Sequence, residues 1–452
     1  MADEFTDVQM IKPKEPSGSF WYNVSMAFKL LKTLENGVRI GELRTAHGKI
    51  ETPFFMPVGT VGSVKGVSSE ELNNLGAQII LCNTYHLYLR PGEGLIKELG
   101  GLHRFINWEK PILTDSGGYQ VFSLGKNNLK FKISNLKSNS NDQFSNDKIN
   151  DKSQGLVKIT DEGVEFTSHL DGSKHLFTPE KVIQIQLDLG VDILMPLDIC
   201  PSGKATYEEV KKATKQTVEW AKRSKLYFDR KIQDTRDKKQ ENNNSTIQQF
   251  NNLRMKRPLL HGIVQGGLHE DLRRWCTEEL IKLDFDGYSV GGLAVDNETR
   301  SMWKIVKLMG EILPLDKQRY LMGVGTPDDI IRATSLGMDM FDCVLPTRLG
   351  RHGSVYTRIS NFEFLISNQN PNLKSQNYKL INLLNSKYRT DGGVIDENCN
   401  CPACNGGYTK AYISHLIRSG EILGIRLTTL HNLFQYLELM RDLRSNYSQK
   451  KD

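Results

Sequence analysis

Long hydrophobic runs are missing from this chain. No stretch approaches the ~18 consecutive apolar residues that a bilayer-spanning helix needs, and Met1 to Pro16 mixes acidic, basic and polar side chains without an apolar segment of signal-peptide length. A soluble protein of a reducing, cytoplasmic compartment is expected. A strong charge of one sign is missing too: 59 Lys and Arg stand against 53 Asp and Glu, a formal net charge of +6. So mild an excess permits a polyanionic partner without requiring one. Cysteine is scarce and uneven. Of the seven, Cys82, Cys200, Cys276 and Cys343 are scattered, whereas Cys399, Cys401 and Cys404 crowd together. An odd total with one tight cluster argues against a secreted disulfide framework and for metal.

What is present falls into two textures. Three stretches, about Asn127 to Gln154, Lys231 to Met255 and Ser360 to Asn377, are rich in Asn, Ser, Lys and Gln with few large apolar residues in periodic order. Chain of that composition does not repay its ordering entropy, so these read as disordered-looking loop insertions without a catalytic role. Elsewhere short apolar runs end in Gly or polar tips and lead into helical patterns. Gln78 to Cys82 precedes Asn83, Pro111 to Thr114 precedes Asp115, and Val191 to Leu197 precedes Asp198. Leu259 to Val264 runs into Gln265-Gly266-Gly267, Tyr288 to Val290 into Gly291-Gly292, and Tyr320 to Met322 into Gly323. Thr326-Pro327-Asp328-Asp329 opens a helix, with Thr as cap and Pro at the first position.

Strand, tip and helix in repetition mean parallel βα units. A doubly wound sheet gathers its ligand-binding glycines at one switch point. Here polar tips follow at least six strands, which favours an α/β fold of the (β/α)8 TIM-barrel type with its active site on one face. The expected layout is an N-terminal extension over 1–23, a catalytic barrel over 24–358, an insertion over 359–377 and a helical metal-binding subdomain over 378–452.

The tips carry the chemistry. Asp115, Asp198 and Asp342 each close a strand; any one alone reads as a cap or a loop tie, but several on one barrel face can divide into nucleophile and general acid/base. Asp198 and Gln265, with Gly292 close by, offer the polarity that reads the edge of a flat heterocycle. Tyr119 and Met322 could sandwich such a ring, or simply pack. Cys399, Cys401 and Cys404 with His431 make a closed tetrahedral set of the structural zinc kind, His415 being a rival fourth ligand. Arg348, Arg351 and Arg358 follow the Asp342 strand, and Lys410, Arg418, Arg426, Arg441 and Arg444 decorate the C-terminal helices. Such cations either contact phosphates or form a solvated basic face.

Taken together these motifs resemble one family. Thr114 to Ser123 (TDSGGYQVFS), His169 to Ser173 (HLDGS), Gly262 to Gly267 (GIVQGG), Tyr288 to Val295 (YSVGGLAV), Met322 to Gly325 (MGVG) and Phe341 to Arg348 (FDCVLPTR) are similar to the motifs of tRNA-guanine transglycosylases, in one order over about residues 24 to 445. The resemblance implies a ping-pong exchange of the wobble guanine in tRNAs with G-U-N anticodons. Asp342 is then the nucleophile and Asp115 the general acid/base. Asn83, Ser116, Asp198, Cys200, Gln265, Gly292 and Leu293 would bind the substrate base or its ribose, and Tyr119 and Met322 would stack on the ring. Arg348 and Arg351 would hold the tRNA anticodon loop. The Cys399, Cys401, Cys404 and His431 set would hold one structural zinc ion per chain, and the protein would be a homodimer. Cys200 and Val295 match members that take 7-aminomethyl-7-deazaguanine, as in queuosine biosynthesis. One departure stands out: where such members usually show Asp-Glu-Cys, this chain has Asp198-Ile199-Cys200.

Overall fold

Residues such as Leu259 to Val264 are buried at every position, the signature of a strand covered on both faces, and parallel sheets are built from such strands. In the computed structural model, which describes residues 27–34, 37–120, 157–241, 257–294, 299–359 and 377–448, these runs pair into one barrel. Its strands are β1 (Phe54–Met56 continuing as Val58–Gly59), β2 (Ile80–Asn83), β3 (Ile112–Asp115), β4 (Ile193–Leu194), β5 (Leu259–Val264), β6 (Gly287–Val290), β7 (Gln318–Leu321) and β8 (Met340–Asp342). Nine hydrogen-bonded segments run in order around the sheet, and the two at its ends are the two parts of β1. Pro57 divides that strand because it has no N–H to give to a ladder. Its first part pairs with β8, Phe54 opposite Met340 and Met56 opposite Asp342, while its second pairs with β2, Val58 opposite Leu81. The sheet therefore closes, and the eight-stranded barrel expected from the alternation of tips and helices is what the chain forms.

Side chains alternate across each strand. Phe54, Met56, Leu81, Leu113, Ile193, Leu259, Ile263, Tyr320 and Met340 fill the barrel interior. Their neighbours Phe55, Ile80, Ile112, Leu194, Leu260, Val264, Leu321 and Phe341 face outward into a second layer with the helices. The helices start and stop where local chemistry dictates. Thr178 caps Pro179–Leu189, which ends at Gly190 in the left-handed region (φ 71°). Thr326 and Asp329 form the reciprocal cap of Pro327–Ser335 that the sequence signals.

The βα grammar does not reveal what closes the barrel's foot. Phe28–Thr33, Arg39–Thr45 and Gly48–Thr52 form an antiparallel sheet whose Phe28, Leu43 and Ile50 join the interior cluster. A buried ion pair ties it down: Arg39 Nη1 lies 2.8 Å from Asp339 Oδ2, with side chains 1% and 0% exposed. Removing one partner of such a pair leaves an uncompensated buried charge and costs about 3–5 kcal/mol. At the seam between β8 and β1 lies the long helix Ile422–Ser448. Tyr436 stacks obliquely on Phe55 with ring centroids 4.8 Å apart, and Arg444 Nη1 donates to the Pro53 carbonyl at 2.7 Å.

Among the described residues no helix is long and apolar enough to cross a membrane. Of the stretches expected to be insertions, 127–154 and 360–376 lie outside the described residues, as does the N-terminal extension 1–23. In the remaining one, Lys231 to Glu241 continue the helix Tyr207–Glu241, and 242–255 lie outside the described residues.

Candidate active site and metal centre

The C-terminal ends of the barrel strands converge on one mouth. Asp342 ends β8 beside the end of β7, and its Oδ1 accepts from Tyr320 Oη at 2.6 Å and from the Gly323 N–H at 2.7 Å. Both donors fall on the same oxygen, which orients the carboxylate and leaves Oδ2 outside these two bonds. Burial raises the Asp342 carboxyl above its ordinary value, while the Tyr320 and Gly323 donors oppose the rise.

Asp115 ends β3. Its Oδ2 accepts from Asn83 Nδ2 at 2.6 Å, and its Oδ1 from the Thr84 and Gly117 N–H groups at 3.2 and 3.1 Å. Asn83 ends the neighbouring β2 directly opposite Asp115, so its side chain reaches across the ladder while its Oδ1 caps the next helix through the His86 N–H. Burial pushes the Asp115 carboxyl up to about 7; the negative charge of Asp342 adds to the rise and the surrounding N–H donors resist it. The two carboxyls thus share one field. One has its orientation fixed, and the other is poised to exchange a proton near neutrality.

Beside them lies a polar chain suited to a flat base. Asp198 Oδ1 accepts from Ser116 Oγ at 3.1 Å and Oδ2 from Gln265 Nε2 at 2.8 Å. With its amide nitrogen so committed, Gln265 keeps Oε1 as a buried acceptor without a hydrogen-bond partner. Burial raises the Asp198 carboxyl, and these two donors lower it. Gly291 and Gly292 lie against the Gln265 amide: a Cβ on the first would come 2.6 Å from Nε2 and one on the second 2.6 Å from Oε1, and Gly292 has φ +76°. Only glycine meets both demands. Cys200 is partly buried, its thiol pushed up to about 12 by burial. Met322 packs on the barrel-interior cluster, whereas Tyr119 is 47% exposed. Leu293 is buried in the outer apolar layer, so its side chain serves packing. Ile199 shares that layer with Val218 and Trp220, and its N–H donates to Thr217 Oγ1 at 3.0 Å. The position that departs from the family pattern therefore bears on packing behind the pocket. Val295 lies outside the described residues.

The basic residues separate into two groups. Arg348 is exposed on the helix Leu345–Arg351, and Arg351, half-buried, donates to the Thr347 carbonyl at 3.0 Å. The others act as ties within the protein. Arg358 pairs with Asp442 at 2.5 Å and Lys410 with Asp391 at 3.1 Å. Arg426 pairs with Glu71, Arg441 donates to the Leu75 carbonyl, and Arg418 donates to the Leu384 carbonyl. Unlike Arg348, these are spoken for.

The thiols meet as expected. Cys399, Cys401 and Cys404 Sγ lie 3.7, 3.3 and 3.5 Å from His431 Nδ1, and the four ligand atoms lie within 4.8 Å of one another in a buried cluster that could hold a metal ion. An ion at ~2.3 Å from sulfur and ~2.05 Å from nitrogen in tetrahedral array sets S and N ~3.6 Å apart, so the spacing fits. His431 Nε2 faces the Tyr356 carbonyl at 2.7 Å, which fixes the ring with Nδ1 toward the thiols. His415 is exposed on the helix Lys410–Arg418 and takes no part. His431 sits on the long C-terminal helix. The next residue, Asn432, donates from Nδ2 to the carbonyls of Pro346 and Ser354, both at 3.0 Å, and accepts from the Tyr356 N–H.

Four functional contacts escaped the reading of the sequence: the Tyr320 and Gly323 donors to Asp342, and the Thr84 and Gly117 donors to Asp115. A glycine placed two residues past a strand end, as Gly323 is, was the available signal.

Comparison with known proteins gives the family. A sequence model of the family described as queuine tRNA-ribosyltransferase matches residues 35–150 and 148–451. Proteins named queuine tRNA-ribosyltransferase from Ruminiclostridium cellulolyticum and Halothermothrix orenii are 44% and 43% identical over 421 and 422 residues, each alignment covering 93% of both chains. One from Staphylococcus aureus is 44% identical over 93% of this chain and 92% of its own length. The chain belongs to the queuine tRNA-ribosyltransferase family of pentosyltransferase enzymes.

Proposed function

We propose that this protein exchanges the wobble guanine of tRNAs with G-U-N anticodons for 7-aminomethyl-7-deazaguanine, by a ping-pong reaction through a covalent tRNA–Asp342 intermediate. Asp342 Oδ2 attacks C1′ of the target nucleotide. The C1′–N9 bond breaks, its electron pair leaves with guanine, and Asp115 supplies the proton. The incoming base then returns a proton to Asp115 while its N9 attacks C1′ and displaces the Asp342 carboxylate. The observation that carries this reading is the pairing of two carboxyls at one barrel mouth, one oriented through a single oxygen by Tyr320 and Gly323, the other raised to about 7.

The base pocket supports the same reading. The Asp198 carboxylate and the unpartnered Gln265 Oε1 present acceptors, which suits the donor-rich N1 and N2 edge of guanine and its 7-deaza analogues. Ser116 and Gly292 set those groups in place, Asn83 supports Asp115 or meets the ribose, Cys200 borders the pocket, the Leu293 backbone lies beside Gly292, and Tyr119 and Met322 bracket the ring. Arg348 and Arg351, on the helix after β8, meet the anticodon loop. Zinc is the ion proposed for the three thiols and His431: the closed sulfur-rich set leaves no open position for catalysis, so its contribution is to folding. A homodimer built through the metal-bearing subdomain, acting in the cytoplasm, belongs to the same proposal.

The test is incorporation of labelled guanine into tRNA carrying a G-U-N anticodon, followed by competition among guanine, 7-aminomethyl-7-deazaguanine and queuine. Asp342→Asn is expected to abolish both exchange and the denaturant-stable protein–RNA adduct. An adduct undiminished in that variant would remove Asp342 from the nucleophile's role.

A further inference from the structure

The base pocket is a joint between two neighbouring strand ends. β5 runs out at Val264 into Gln265-Gly266-Gly267, and β6 at Val290 into Gly291-Gly292. The buried acceptor Gln265 Oε1 belongs to the first loop, and the glycines that lie against the Gln265 amide belong to the second. Their separation therefore sets the shape offered to a base. Arg273, fully buried on the helix Glu270–Ile281, reaches this joint from the helix layer. Its Nε donates to the Gly267 carbonyl at 3.0 Å, Nη1 to the Val264 carbonyl at 2.6 Å and Nη2 to the Gly291 carbonyl at 2.8 Å. We infer that Arg273 is a positioning residue for base exchange: its guanidinium fixes the two loops against each other, so that Gln265 is set for the base before the base arrives.

Three observations carry this. First, the bonds span the joint: one carbonyl lies just before Gln265, one two residues after it, and the third beside Gly292. The Val264 carbonyl also accepts the Gly291 N–H at 3.1 Å, so guanidinium and backbone close one network. Second, the chemistry is particular to arginine. A planar fork donates in several directions at once, whereas an ammonium gathers its donors at one point. Third, the charge is kept where it is costly. Among the described residues the hydrogen-bond partners of Arg273 are carbonyls, with no carboxylate in an ion pair. Burial pushes its pKa down to about 10, which still leaves it charged near neutrality. An apolar side chain would cover the same helix face without that cost, yet would leave three strand-end carbonyls without this donor. The inference rests on the reading of this pocket as the guanine site.

The experiment uses the full chain and follows labelled guanine into tRNA carrying a G-U-N anticodon. Arg273→Lys keeps the charge and loses the fork; it is expected to raise KM for guanine at least ~10-fold while kcat at saturating guanine stays within about threefold. Arg273→Met, which loses the charge as well, is expected to raise KM further. Arg319 provides the control. It too is a buried arginine, donating to the carbonyls of Gly310, Leu313 and Pro314 at the barrel's foot, so Arg319→Lys reports what a loss of stability alone does to KM. A second measurement needs no variant. In the base-free protein the Gly291 and His269 N–H groups, bonded to the Val264 and Gly266 carbonyls, are expected to exchange hydrogen as slowly as strand amides. An unchanged KM in Arg273→Lys would overturn the inference, as would an equal rise in Arg319→Lys. So would loop amides that exchange freely until guanine is added, since the base would then be what orders the pocket. A parent enzyme that incorporates no guanine would instead defeat the reading of the pocket, and amide exchange would still decide whether the loops are preset.

Discussion

Replacing Tyr320 with Phe removes one oxygen from the barrel interior and leaves the buried ring in place. That oxygen donates to Asp342 Oδ1 at 2.6 Å, sharing it with the Gly323 N–H. A hydrogen bond to a charged group contributes roughly 1.5–3 kcal/mol. If the bond is made to the attacking carboxylate, its loss lowers kcat/KM for tRNA by about 10- to 150-fold. The sign of the pH effect is also fixed. The Tyr320 donor lowers the Asp342 pKa against the rise caused by burial, so removing it raises that pKa further. Asp342 reacts as the carboxylate, hence the acid limb of the pH–rate profile moves to higher pH in Tyr320→Phe. The assay is single-turnover transfer of tRNA to the enzyme across a pH series, with adduct resolved under denaturing conditions and the fold checked by thermal unfolding. A Tyr320→Phe enzyme within twofold of the parent at every pH, with its acid limb unmoved, would refute the role assigned to this bond.

Asp115, at about 7, must be protonated to release guanine, so kcat/KM for tRNA is expected to fall tenfold per pH unit above that value. Esterification of Asp342 removes a charge that helps raise Asp115, so the limb for the incoming base, which needs the carboxylate, should lie lower; a single shared limb would contradict this. Gly292→Ala puts a methyl 2.6 Å from Gln265 Oε1 at φ +76° and is expected to raise KM for guanine at least ~10-fold, read by initial rates with circular dichroism as the fold control. Cys401→Ser is expected to lose the bound metal by elemental analysis and to lower the thermal midpoint, and full occupancy in the variant would reject that ligand.

The repeating strand, tip and helix pattern made the barrel legible, because parallel strands buried on both faces leave an unambiguous apolar signature. The tips named the site for the same reason: a barrel gathers its strand ends, so Asp115, Asp198, Gln265 and Asp342 could be placed together without knowing their separations. What stayed hidden was whatever depends on distance across the fold. Tyr320 reads as one more apolar strand residue until β7 and β8 are paired. The sheet Phe28 to Thr52 closing the barrel's foot carries no βα signal, since its strands are antiparallel. The basic residues of the C-terminal helices looked available for phosphate, yet Arg426, Arg441 and Arg358 reach partners far away in sequence at Glu71, Leu75 and Asp442. Ile199 drew notice as a missing carboxylate, and its burial in the outer apolar layer shows a side chain that belongs to the packing.

His431 and Asn432 are adjacent on one helix, and the pair works as a joint. One residue reaches the thiols and the Tyr356 carbonyl; the other grips Pro346 and Ser354. Thr428, one turn earlier, holds the Gly350 carbonyl at 2.8 Å. The helix that carries Arg348 and Arg351 is thereby pinned at both ends to the element that bears His431. If the cluster holds an ion and these arginines meet RNA as proposed, an ion remote from the sugar chemistry would have leverage over the grip on RNA, and partial metal loss is expected to weaken tRNA binding before it touches the exchange of bases.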